Sequence, residues 1–379
     1  MKKVAIIGTA YPYRGGIAAF NERLARQFQE EGWTTDVVTF TLQYPSFLFP
    51  GKTQYSTEPQ PDDLNITRSV SSVNPFNWIK VGRRVRKGNY DLVVMKFWHP
   101  FMAPCLGAIA RIIRKNKNTK VVSVLDNVIP HERHFGDKTL IAYFVKSMDG
   151  FVAMSQSVLD DLLLFDKKKP MTLSPHPLYD NFGQKVSREE AIRYLKLDDS
   201  TRYMLFFGII RDYKGLDLLL DAFADARLQN RDLKLIVAGE FYNNEERYRE
   251  QEKRLGLEGR IIWYDAFIPD SEVKYYFNAA DIIAQPYKSA TQSGVTQIAY
   301  HFEIPMLVTD VGGLKEIVPD GKVGYVVNPK HEDISDALVD FYDNNRHDAF
   351  VDGVKDEKKK YKWSNMIAAI LSLFNEKQS

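Results

Sequence analysis

At 379 residues the chain is longer than one typical core, since domains cluster around ~100–200 residues, so two domains are expected. Hydrophobic residues make up 44% and charged residues 26%, which excludes disordered and collagen-like classes. The one cysteine, Cys105, sits in an apolar run and excludes an intramolecular disulfide and a cysteine-built zinc cluster, fitting a reducing cytoplasm.

Net charge is +2 but unevenly divided: residues 1–182 carry +8 and the remainder −6. Much of the excess lies in KVGRRVRK at 80–87 and RIIRKNKNTK at 111–120. Such clusters are either solvated helix faces or a surface drawn to an anionic membrane or a lipid-phosphate acceptor. No nucleic-acid partner is expected.

The start, MKKVAIIG, is too short for a signal-peptide core and reads as a first strand at 4–8. A helix at 16–31 follows, then strands at 35–40, 92–96, 121–125 and 150–154, separated by helices at 75–87, 101–115 and 140–147. Short β-branched runs alternating with helical periodicity predict a doubly wound parallel sheet. No apolar run reaches the ~18–20 residues of a membrane span.

The stretch SPHPLYDNFGQK at 174–185 breaks the pattern and reads as an inter-domain connection. The pattern then restarts, with strands at 203–208, 234–239, 261–264, 282–285, 306–309 and 324–327. Helices are expected between them at 216–227, 245–255, 270–279, 294–302 and 314–318, and after them at 331–344. Residues 352–362 are highly charged, and 363–375 carry an apolar helical face. The expected organisation is an N-terminal domain at 1–180, a C-terminal domain at 181–362, and a last helix at 363–379 packing back on the first domain. Facing α/β domains would place ligands at the carboxyl ends of both sheets.

The loops at those ends carry the chemistry. Gly15-Gly16 opens the first helix, whose free N–H groups suit an anion, with Arg14 beside them. The G-x-G-x-x-G spacing of a dinucleotide site is missing, which weighs against hydride chemistry. After the strand ending at Gly208, Arg211 and Lys214 stand three residues apart before an amphipathic helix. Two such cations neutralise a diphosphate and stabilise it as a leaving group. A third turn, Ser293-Gly294-Val295, opens another helix N-terminus, and Gly312-Gly313 a fourth glycine turn.

In FGIIRDYKGLD, VAGE, AADIIAQPY, SATQSGV and VTDVGGLKEIVPDGKVGYVV the chain resembles the family-4 retaining glycosyltransferases of the GT-B fold, and the resemblance covers nearly its whole length. The resemblance implies two Rossmann-like domains facing across a cleft, and a UDP- or GDP-sugar donor. It implies that Arg211 and Lys214 bind the diphosphate, and that Gly15, Gly16, Gly208, Glu240 and the amides of Ser293, Gly294 and Val295 lie on the donor, with Ile268 near the base. Trp98–Phe101 and the loop at 126–132 resemble acceptor-side and sugar-side loops, putting His99, Asp126, His131 and Glu132 with Arg14 there. His176 is expected to be structural.

One departure stands out. The family commonly carries two glutamates eight positions apart; here those positions are Ala290 and Ile298, so Thr291 and Gln292 would bind the sugar by neutral hydrogen bonds, as in a sub-group reading A-T-Q-S-G-V. The resemblance implies transfer to a glycan or lipid-linked hydroxyl with retention, without metal or cofactor, in surface polysaccharide or glycolipid assembly. The rivals are an epimerase of the same fold and a catalytically impaired nucleotide-sugar binder.

Overall fold

The computed structural model describes residues 2–45, 54–56, 59–130, 134–290 and 293–374. They form two compact units, one of residues 1–177 with 362–379 and one of residues 178–361.

The first unit is built on seven parallel strands: β1 Lys3–Ile7, β2 Thr34–Leu42, β3 Asn65–Ser71, β4 Leu92–Phe97, β5 Lys120–Leu125, β6 Gly150–Ala153 and β7 Met171–Leu173, in the order β3-β2-β1-β4-β5-β6-β7. Val4–Ile7 and all of β4 are buried, because helices cover both faces of a parallel sheet and leave no solvent side. The strand β3, NITRSVS, was not expected. It is an edge strand whose residues are mostly polar or half-exposed, so neither an apolar run nor clean alternation announces it.

The second unit holds six parallel strands, β8 Arg202–Phe207, β9 Leu233–Ala238, β10 Ile261–Tyr264, β11 Ile282–Gln285, β12 Met306–Thr309 and β13 Gly324–Val327, ordered β10-β9-β8-β11-β12-β13. The expected helix at 216–227 is two pieces, Leu216–Phe223 and Ala226–Gln229, because the Asp225 side chain accepts the Arg227 N–H and starts a new helix. The charged stretch after 350 is largely helical, within His347–Glu357 and the turn Lys358–Tyr361.

After the second unit the chain returns to the first. The helix Trp363–Ser372 buries Trp363, Met366, Ile367 and Ile370, the i, i+3, i+4, i+7 stripe of an amphipathic helix. That stripe joins the apolar cluster of Val4, Ile6, Phe20, Val94 and Val122, with the Trp363 and Phe20 rings 5.1 Å apart.

Candidate functional site

The second sheet reverses its winding direction between β8 and β11, the position where open α/β sheets part their loops and leave a ligand crevice. From β8 the chain passes Gly208 and Arg211 into the turn Asp212–Lys214 and the helix Leu216–Phe223. From β11 it passes Tyr287 to Ser293, the cap of the helix Gly294–Phe302. The two loops are tied together. The Lys288 N–H donates to the Tyr213 carbonyl at 2.7 Å, and Gly215, at φ +69°, lies so near Pro286 that a Cβ would stand 1.9 Å from its carbonyl oxygen. Only glycine permits that approach.

Lys214 is 9% exposed. A Cβ on Gly208, itself at φ +93°, would meet the Lys214 Nζ at 3.0 Å and Val295 Cγ2 at 3.9 Å, so both loops converge on this amine. Burial, and then the neighbouring Arg211 charge, push the Lys214 pKa down to about 8. The Arg211 guanidinium lies over the Tyr242 ring, 4.2 Å from its centroid. Among the described residues neither Arg211 nor Lys214 makes an ion pair, whereas the loop's carboxylates are taken: Asp212 by Arg247 at 2.7 Å, Asp217 by Lys288 at 2.8 Å. Two adjacent cations, one of them buried, therefore lack a counter-charge, an arrangement that favours binding an anion.

Ser293 narrows one expectation. Its Oγ accepts the Val295 N–H at 3.2 Å, so that amide serves the helix cap and is not free for a diphosphate, while the Gly294 N–H has no backbone acceptor among the described residues. The Glu240 carbonyl accepts the Ile210 N–H at 2.9 Å, which fixes the end of β9 against the Arg211 loop. Ile268 lies beyond β10, two strands from β8, and is buried in the apolar core with Tyr276. Thr291 and Gln292 fall outside the described residues.

In the first unit the reversal falls between β1 and β4. Arg14 is exposed, and Gly15, at φ +105°, caps the helix Gly16–Glu30 with no side-chain cap bond of its own. Beyond β4, His99 Nδ1 accepts the Phe101 N–H at 3.2 Å. It thereby caps a short turn, and burial holds its pKa below the ordinary imidazole value despite the opposing influence of Asp137. Asp126, just past β5, binds the Nζ of Lys96 through Oδ1 at 2.9 Å; the lysine side chain is 2% exposed and the aspartate 20%. The Lys96 Nζ also lies 3.2 Å from the Phe20 ring centroid. Desolvation draws the lysine pKa down and the aspartate pKa up, each opposed by the partner's charge. His176 packs against Phe20 with ring centroids 5.3 Å apart, and burial followed by the Lys96 charge pushes its pKa down to about 3. His131 and Glu132 lie outside the described residues.

The family described as "Glycosyltransferase Family 4" matches residues 14–177, and that described as "Glycosyl transferases group 1" matches residues 187–356. The first half is thus similar to family-4 glycosyltransferases and the second to group 1 glycosyltransferases. It is 31% identical over 169 residues to a D-inositol 3-phosphate glycosyltransferase of Corynebacterium diphtheriae, covering 43% of this chain and 39% of that one. It is 25% identical over 344 residues to that of Thermobifida fusca, covering 83% and 77%. The matches to the first such relatives span from two-fifths to about half of their length. Among solved structures, Anabaena Alr3699/HepE in complex with UDP and glucose aligns with a TM-score of 0.71 at 15% identity, covering 98% of this chain and all of that one. Together with the two parallel sheets, this shows the GT-B fold.

The two positions that carry glutamates in similar sequences are apolar in surroundings as well as in kind: Ile298 is buried in the second unit's core and Ala290 packs against it. Sequence reasoning missed Lys96 and Tyr242. Lys96 had a legible signal, a lone charge inside the wholly buried run LVVMKF, which demands a partner. Tyr242 had none, because its place beneath Arg211 depends on β9 lying beside β8. Among the described residues no group of three or more His, Cys, Asp or Glu side chains could hold a metal, and no helix is long and apolar enough to cross a membrane.

Proposed function

We propose that the chain transfers a sugar from a UDP- or GDP-sugar to an acceptor hydroxyl with retention of configuration, without a metal, on the cytoplasmic side of surface polysaccharide or glycolipid assembly. The observation that carries this reading is the Arg211–Lys214 pair, unmatched by any carboxylate among the described residues, at the switch point of the second sheet. The HepE complex, named for UDP and glucose, supports a nucleotide-sugar donor.

In the proposed step the acceptor oxygen bonds to the anomeric carbon on the face from which the diphosphate departs. The carbon–oxygen bond to the diphosphate breaks with its electron pair, and the departing phosphate oxygen takes the acceptor's proton. Arg211 and Lys214 stabilise the charge that builds on that oxygen. The Gly15–Gly16 helix end and the Asp126 loop serve the sugar and acceptor. The apolar surroundings of Ala290 and Ile298 favour a second reading, a nucleotide-sugar binder without turnover.

The test is nucleotide release from a panel of UDP- and GDP-sugars with glycan and lipid-linked acceptors. Turnover that drops by about 10²-fold or more in Arg211→Ala and in Lys214→Ala, with the fold unchanged, is expected. Equal rates in both variants and the wild type sink the diphosphate role; tight binding with no turnover selects the second reading.

A further inference from the structure

The helix Pro75–Lys87 in the first unit is pinned on one side, and on the other it makes no ion pair among the described residues. Its inward face buries Val81, Gly82 and Val85, and a Cβ on Gly82 would stand 2.9 Å from the Ile112 side chain of the helix Ala103–Ile113. Its start is fixed as well: Asn74 accepts the Phe76 N–H at 3.0 Å, the Asn77 side chain donates to the Ser69 carbonyl at 2.8 Å, and the Trp78 indole donates to the Ser71 carbonyl at 2.7 Å. The outward face cannot turn inward without breaking these contacts.

That face has an unusual composition. At 100° per residue, Phe76, Ile79, Lys80, Arg83, Arg84, Arg86 and Lys87 all project within one half of the helix surface. Phe76 is 84% exposed, Ile79 40%, and Val73, just before the cap, 47%. No acidic residue occurs between Val73 and Lys87. Among the described residues Lys80, Arg83, Arg86 and Lys87 make no ion pair; Arg84 donates to the Ser69 hydroxyl. The second basic cluster differs: Arg114 pairs with Asp149 at 2.7 Å, and the Arg111 guanidinium donates to Ser147 at 2.9 Å, so part of its charge is spent inside the fold.

From this we infer that the outward face of Pro75–Lys87 docks on an anionic lipid bilayer, Phe76, Ile79 and Val73 entering the interface and the basic stripe lying on the headgroups. A rigid helix offering large apolar side chains at one end and unmatched cations along its length has the charge and polarity of an interfacial anchor. Nucleic acid would be met by the cations but gives no reason for an 84% exposed phenylalanine at the head of the stripe. The inference does not rest on the catalytic reading, since docking is measurable without any donor or acceptor.

The experiment uses the full chain with vesicles of phosphatidylcholine alone and of phosphatidylcholine mixed with phosphatidylglycerol, read by flotation. Binding to the mixed vesicles only, weakening as salt rises, is expected. Arg83→Gln and Arg86→Gln should each weaken it by about fivefold, and Phe76→Ser by about tenfold at any salt. All three side chains face away from the packed helix side, so circular dichroism and melting should be unchanged. A second readout uses Phe76→Cys carrying an environment-sensitive fluorophore. The native Cys105 is buried, with its thiol pushed up to about 12, and stays unlabelled. The label should shift to the blue on mixed vesicles. Absent binding, salt-independent binding, variants that bind like the wild type, an unshifted label, or duplex DNA displacing the protein from vesicles would each overturn the proposal.

Discussion

Lys214 shows how burial and a neighbouring charge change the titration of an ordinary side chain. Its amine is pushed down to about 8 by burial and by Arg211, so it begins to lose its proton only slightly above neutral pH. A diphosphate bound beside it favours the charged form, so binding takes up a proton as pH rises through about 8. Nucleoside-diphosphate affinity should therefore fall on the alkaline side of pH 8 in the wild type and stay flat to higher pH in Lys214→Arg, measured by calorimetry across that range. Lys96 and Asp126 pose the opposite case, a buried cation already matched. Removing one partner alone, as in Lys96→Met, should cost about 3–5 kcal/mol of first-unit stability, while Lys96→Met with Asp126→Leu should recover most of that loss. If the double variant melts like the wild type yet loses turnover, the Asp126 carboxylate acts on the acceptor side as well as in the fold.

At the scale of elements, the candidate donor site is made by two loops that meet where the second sheet changes winding direction. Gly208 is the narrow point, since its φ of +93° strains any other residue and a methyl group there would press on the Lys214 Nζ at 3.0 Å. Gly208→Ala should raise the donor KM by about tenfold or more, at a stability cost of about 1–3 kcal/mol, read by steady-state kinetics beside urea unfolding. The motif around Gly208, Arg211 and Lys214 was legible because strand, glycine and cations follow one another in the chain. The closure of that site was not, because Val295, Tyr287 and Pro286 come from a loop much later in the chain and are brought there by strand order. Likewise Ser293 was legible as a helix start, yet that its own hydroxyl would occupy the Val295 amide depends on side-chain geometry.

At the scale of the whole molecule, the last helix ties the end of the chain to its beginning. Ile370 is fully buried in the cluster that holds Val4, Phe20 and Val122. Ile370→Ala should therefore destabilise the first unit by about 2–4 kcal/mol and leave the second unaffected, a difference that hydrogen exchange resolves unit by unit and a single melting curve does not.

The sequence by itself determined the two α/β sheets, most of their strands, and the adjacent cations of the candidate donor loop, because buried parallel strands need continuous apolar runs and loop chemistry is written in adjacent residues. Only the tertiary structure decided that β3 completes an edge, that Lys96 answers Asp126, that Tyr242 supports Arg211, and that among the described residues Arg211 and Lys214 meet no carboxylate while Asp212 and Asp217 are paired. Those outcomes depend on which distant side chains become neighbours, and a charge is free or matched only in relation to what the fold places beside it.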